Sequence, residues 1–244
     1  MDAAMYKALS GAIVQMRKLE VASQDLANVN TSGYKGQRLA FNEVLAARSP
    51  AETRSGGFVA VGDQRTDFLQ GHLQVTGNPF HLAIEGEGYF VVETPRGERY
   101  TRSGGFTRSA DGTVITPQGE PLLGEGGPIQ VPNGRMLVGL DGTVQSKNDE
   151  VRSENDEVGK LRIVRFLENR RVVKEGANLL RTDAANVEDI ATPRVAQGSL
   201  EQSNVSPIDS MVSMITIQRQ FEAYERAMRL MDGATEKMIA DAGR

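Results

Sequence analysis

Apolar residues recur every three or four positions at both ends of this chain and cluster in short runs in its middle. Near the N-terminus, Met5, Leu9, Ala12, Met16, Leu19, Ser23 and Leu26 follow a 4-3-4-3-4-3 spacing. That spacing puts them on one seam of a helix, predicted over about 3–27. Asp2 lies in its first turn, where an acid suits the positive end of the helix dipole. Near the C-terminus, Met214, Ile217, Phe221, Tyr224, Met228, Met231, Thr235 and Met238 form a second seam, predicted over about 207–240. Ile208, Met211, Val212 and Ile215 are expected to widen this stripe at its start. Ser206 reads as N-cap, Pro207 as the first helical residue, and Asp209 as the acid of a capping-box-like S-x-x-D. At 1.5 Å per residue the second helix is roughly 50 Å long. Two such helices stabilise each other by packing. The pattern fits a pair that buries its remaining faces on lateral neighbours, and it also fits a helical hairpin closing a monomer.

Between the ends the pattern changes. No Gly lies in 12–32 or 199–232, whereas 13 of the 26 Gly fall between Gly86 and Gly142. "GYFVVET", "RYTRSGGF", "GTVITPQG", "RMLVGLDGTVQ" and "KLRIVRFLE" are short β-branched or aromatic runs between turn residues. They predict an antiparallel barrel or sandwich over 80–185. Asp111-Gly112 and Asp141-Gly142 suit type I′ hairpin turns. "SKNDEVRSENDE", 146–157, reads as a solvated loop. Weakly periodic stretches at 36–79 and 186–205 read as extended connectors, the first with room for a long hairpin. The expected layout is α+β, with three regions. Residues 1–35 and 206–244 form a terminal helical domain, coiled-coil-like in its pairing. The connectors 36–79 and 186–205 join it to an all-β domain at 80–185.

Composition narrows the function classes. A net charge of −4 without a Lys/Arg cluster argues against nucleic acid. With no Cys there are no disulfides, thiolate metal sites or Cys nucleophiles. No run of about 20 apolar residues crosses a membrane. Lys7, Arg17 and Lys18 interrupt the N-terminal stretch, so a cleaved signal peptide is not expected.

Candidate chemistry is sparse. His72 and His81 lie nine positions apart without a metal-binding spacing. "EGEGYF" and "GEGG" miss G-x-G-x-x-G and read as turns. No nucleophile elbow, Walker A loop or EF-hand loop is found, so no catalytic, cofactor or metal role is expected. What remains is "LANVNTSGYK", 26–35. Asn28 suits the left-handed conformation that ends a helix, Asn30 and Thr31 suit loose backbone groups, Gly33 supplies a free φ, and Tyr34 can pack the chain back.

These residues carry a resemblance. "SQDLANVNTSGYKGQRLAF" resembles the N-terminal signature of bacterial flagellar rod and hook proteins. "TGNPFHLAIEGEGYFVV" and "YTRSGGFTRSADGTVITPQGEPLLG" are similar to the family's core blocks, and "VAQGSLEQSNVSPIDSMVSMITIQRQFEAYERAM" to its C-terminal block. The opening "MDAAMYKALSGA" looks most like proximal-rod members, with distal-rod members as near neighbours. The resemblance implies a structural subunit of the basal-body rod, a torque-transmitting shaft across the periplasm, and not an enzyme. It implies terminal helices forming an inner tube, with seam roles at Leu9, Ala12, Met16, Leu19, Leu26, Ile215, Phe221 and Met228. Its implied partners are other rod subunits, further copies and the flagellar type III export apparatus, with no nucleic acid, cofactor or small-molecule substrate. The chain departs from the family pattern at Ser32 (often Pro), Asp25 (commonly Asn) and His81 (usually Asp).

Overall fold

Two long helices begin and end the fold: α1 at Asp2–Ala27 and α2 at Pro207–Ala242. The computed structural model describes residues 2–44, 58–131, 134–147, 156–176 and 178–242. The chain divides into two compact units. One holds Met1–Ala27, Gln37–Asp67 and Ser206–Arg244; the other holds Asn28–Gly36 and Phe68–Val205.

In the helical unit, α1 packs on α2 and on an antiparallel pair, Gln37–Val44 with Phe58–Thr66. The stretch read as a connector at 36–79 therefore contains a paired ribbon, and its two ends belong to different units. At its base Arg38 and Asp67 form an ion pair at 2.6 Å, and Asp25 accepts from the Gln37 N–H at 3.2 Å.

The other unit is built on a six-stranded antiparallel sheet. Its order is Val173–Glu175, Leu179–Arg181, Gly97–Thr101, Tyr89–Thr94, Ile163–Phe166, Val187–Asp189. Successive residues of Tyr89–Thr94 point to opposite faces. Phe90 and Val92 enter one core with Leu82, Phe106, Val114 and Ile163. Tyr89 and Val91 enter a second core with Tyr100, Val164 and Leu180. With both faces covered, the run "YFVV" is buried throughout instead of alternating.

Of the expected barrel or sandwich, the barrel is corrected here: among the described residues no barrel closes, and the other strands form small two- and three-stranded sheets. Strands here run from two to six residues. Pro121 and Pro128 also lack the N–H that would extend a ladder. The stretch 186–205, read as a connector, contributes three short strands, Val187–Asp189, Val195–Gln197 and Ser199–Glu201. Three-residue strands are too short to show a period of two. Of the loop expected at 146–157, residues 148–155 lie outside the described residues.

The two Asp-Gly turns differ from expectation in type. Gly112 N–H donates to Ser109 O at 3.1 Å, and Gly142 N–H to Gly139 O at 3.0 Å. Gly112 and Gly142 have φ of 87° and 84°, while Asp111 and Asp141 are not left-handed. A type I′ turn needs positive φ at both central residues, so each is instead a turn closed by a left-handed glycine. The reason is the side chain that follows. Each Asp carboxylate accepts from both N–H and hydroxyl of a Thr two residues on, Thr113 and Thr143. Hydrogen bonds from the side chains of Ser109 and then Thr113 hold the Asp111 carboxyl below the usual range, and those from Thr143 do the same for Asp141.

Candidate assembly surface

Residues of an α-helix step by about 100°, so α1 can be read as a wheel. Its buried arc carries Ala8, Ala12, Val14, Gln15 and Val21. Gly11 lies within this arc and lets α2 come close: a β-carbon on Gly11 would sit 2.6 Å from Tyr224 Cε1. The opposite arc is also apolar, yet exposed. It carries Met5, Tyr6, Leu9, Ile13 and Met16, with Ile13 52% exposed. The N-terminal seam is thus divided. Ala12 is buried, Leu19 and Leu26 are half-buried, and Met5, Leu9 and Met16 face out. Tyr6 and Ile13 belong to this outer face and lie off the three-four stripe; plotting the whole wheel reveals them.

On α2, Met214, Ile217, Phe221, Tyr224, Met228 and Met231 are all half-buried and share an arc about 100° wide. Ile208, Met211, Val212 and Ile215, expected to widen that stripe, do not. At 100° per residue they fall roughly 160° away and form a separate line. All four are exposed, Ile208 at 72%. The helix starts at Pro207, and Ser206 Oγ accepts from the Asp209 N–H at 3.4 Å. Asp209 adds a negative charge in the first turn.

In the β-rich unit the turn after α1 is held from within the chain. Asn28 O accepts from Thr31 N–H at 3.0 Å, and Thr31 Oγ1 donates to Asn28 Oδ1 at 3.2 Å. Asn30 is exposed in the same turn. The left-handed residue is Gly33 at φ 69°, not Asn28. Any β-carbon on Gly33 would lie 2.3 Å from the backbone of Arg102 and Ser103, so the chain passes too close for a side chain. Gly33 N–H donates to Glu201 O at 2.7 Å. Tyr34 is buried beneath Lys174, whose Nζ lies 4.1 Å from the ring centre.

Beside this turn is a fully buried carboxylate. Glu201 Oε1 meets Lys35 Nζ at 2.5 Å and the Gly71 N–H at 3.0 Å. Its Oε2 meets the Arg102 guanidinium at 2.9 Å. Lys35 Nζ also donates to Leu69 O at 2.7 Å, and Arg102 to the carbonyls of Ile84 and Gly86. Asn204 extends the network, accepting from Gly36 N–H at 2.7 Å. Burying three charges is tolerable because each has several partners. Segments 33–36, 69–71 and 199–204 are thereby fastened together within this unit. Lys35 and Glu201 lie 166 positions apart, so no local spacing marks the pair.

His81 bonds Thr76 Oγ1 through Nδ1 at 2.8 Å and Asn78 Nδ2 through Nε2 at 3.2 Å. His72 supplies a carbonyl to the Gln202 N–H. No group of three metal-capable side chains occurs among the described residues.

Comparison with known proteins matches three segments of the sequence. Residues 5–35 match the family described as flagella basal body rod protein, and 83–146 match the flagellar hook protein FlgE/F/G D1 domain. Residues 196–240 match the flagellar basal body rod FlgEFG protein C-terminal family. The flagellar basal-body rod protein FlgF of Caulobacter vibrioides is 35% identical, covering 97% of this chain and 95% of that one. FlgF of Salmonella typhimurium is 33% identical, covering 95% of each. The rod protein FlgG of Bacillus subtilis is 31% identical, covering 96% of this chain and 97% of its own.

Proposed function

The chain belongs to the flagellar basal-body rod protein family, and we propose that it builds the proximal rod, using its terminal helices as the assembly element. As a member it is a structural subunit of the flagellar basal body and not an enzyme. The observation that carries the assembly reading is that both helices are apolar on two opposite sides. In α1 one side packs within the unit and the other exposes Met5, Tyr6, Leu9, Ile13 and Met16. In α2 the exposed line is Ile208, Met211, Val212 and Ile215. A contiguous exposed apolar face of this kind marks an interaction site.

The two helices pair in a coiled-coil-like inner layer, and their outer faces bury against neighbouring rod subunits. Completing the burial of a half-exposed Ile or Leu stabilises by about 1 kcal/mol per side chain. Nine such residues outweigh one surface ion pair, worth at most about 1 kcal/mol. Axial helices packed on both sides resist bending and twisting, which a torque-carrying shaft requires. The partners are further copies and other rod proteins, delivered by the flagellar type III export apparatus. The proximal placement is favoured over the distal one by paired relatives: in Caulobacter vibrioides FlgF is 35% identical and FlgG 30%. The test is to purify hook–basal bodies and locate the chain along the rod by labelling. Label at the base is the expected outcome. Label at the hook end overturns the proximal placement, and no label in the particle overturns the function.

A further inference from the structure

The chain holds nine Met and neither Cys nor Trp, so its thioethers are the side chains that a two-electron oxidant attacks first. They are unevenly placed. Met136 is the one Met of the β-rich unit, and it is 1% exposed in the core. Met214, Met228 and Met231 are half-buried on the inner stripe of α2. The exposed ones are Met5 and Met16 on α1 and Met211 and Met238 on α2. Met5 and Met16 are separated by about three helical turns and a rotation of about 20°. Both therefore stand on one line of the outer arc, with Leu9 between them. Met211 stands on the exposed line of α2 with Ile208, Val212 and Ile215. Three of the nine residues that make up the outer faces are thus thioethers.

Oxidation changes the chemistry of such a face. A peroxide transfers one oxygen to the sulfur: the O–O bond breaks, an S–O bond forms, and with hydrogen peroxide water leaves. The thioether is oxidised to a sulfoxide and the peroxide is reduced. A weak acceptor becomes a strongly polar one on a side chain that was apolar. In the free chain Met16 is 51% exposed and Met211 52%, so peroxide reaches the sulfur and water solvates the sulfoxide without disturbing the fold. Against an apolar neighbour the same oxygen is buried without a donor, and each such burial weakens the contact about tenfold.

We propose that Met5, Met16 and Met211 form an oxidation-sensitive site that gates entry into the rod: the sulfoxide forms are excluded, and reduction restores them. The inference rests on the reading of the outer faces as the assembly surface. The state is set before assembly, because a face packed on its neighbour no longer admits the oxidant. Reversal needs a thiol-dependent methionine sulfoxide reductase, in which the oxygen leaves as water while two thiols form a disulfide.

The first test exposes the full-length monomer to hydrogen peroxide and maps the added oxygen by peptide mass spectrometry. Met5, Met16 and Met211 should react well before Met136, with helix circular dichroism unchanged. Reaction of these three no faster than Met136, or loss of helicity as they react, would overturn the proposal. The second test uses cells that form new rods in the presence of hydrogen peroxide. Incorporation of the wild-type chain should fall about tenfold or more relative to a chain carrying Met5→Leu, Met16→Leu and Met211→Leu. That variant keeps Met136 and Met238, so the comparison isolates the outer faces. A chain carrying Met5→Gln, Met16→Gln and Met211→Gln, polar as the sulfoxides are, should be excluded without peroxide. Equal losses for the wild-type and leucine chains, or normal entry of the glutamine chain, overturn the proposal and leave the rod function standing. Absence of the wild-type chain from untreated rods overturns the function, and the proposal with it.

Discussion

Tyr224 of α2 lies across Gly11 of α1, its ring filling the space a side chain on Gly11 would take. The glycine lowers helix propensity by about 1 kcal/mol relative to Ala, and it is retained where the helices touch. Gly11→Ala should therefore gain little in the wild-type background, because the ring must shift. With Tyr224→Ala already present, the same change should stabilise by about 0.5–1 kcal/mol. A double-mutant cycle on thermal melts followed by helix circular dichroism measures this coupling; additive effects would show that the two residues do not touch.

Glu201 is the residue on which the clamp turns. Glu201→Gln leaves Lys35 and Arg102 buried with no counter-charge and should cost about 3–5 kcal/mol. Urea unfolding of the full chain should show this loss, while Glu175→Gln, at a partly exposed pair, should lose far less. Similar losses in both variants would refute the clamp.

Tyr89 gives the unit a response to alkali. Burial pushes its phenol up to about 12, the nearby Arg102 only partly opposing this. The unfolded chain loses this proton near 10 and the folded chain holds it to about 12. Unfolding thus releases a proton in that window, so stability falls as pH rises from 10 to 12 and is unaffected below it. Tyr89→Phe should be spared up to about 2–3 kcal/mol of that decline. Stability measured at pH 9 and pH 11.5 in both proteins decides it, and parallel declines would contradict the assignment.

The helices were legible in the sequence because their three-four spacing extends over many turns, and Ser206-Pro207 marks where α2 begins. The turn after α1 could be read as a stop from Asn28 to Gly33, but not what holds it. The Lys35–Glu201 pair depends on a fold that brings distant segments together, and a lone charged residue in sequence reads as surface. The β region was legible as strands and turns only. Two-residue strands and proline interruptions carry no signal for how sheets join, and the Asp-Gly turns were misassigned because Thr113 and Thr143 capture the preceding carboxylates. The outer faces were partly visible, yet Tyr6 and Ile13 were missed because they lie outside the narrow stripe.

Phe221 tests the inner seam. Phe221→Asp places a charge among half-buried side chains and should unfold or separate the helices while the β-rich unit keeps its near-ultraviolet signal. Loss of that signal as well would show that the two units do not fold separately.

The central claim is that the outer faces of the helices are made for neighbours. Ile13→Glu combined with Ile215→Glu changes only exposed positions, so the monomer should keep its helicity and melt within about 1 kcal/mol of wild type. Expressed in a strain lacking the wild-type chain, this variant should be absent from purified hook–basal bodies, and the cells should not swim. Recovery of the doubly charged variant in the rod at wild-type levels would contradict the account.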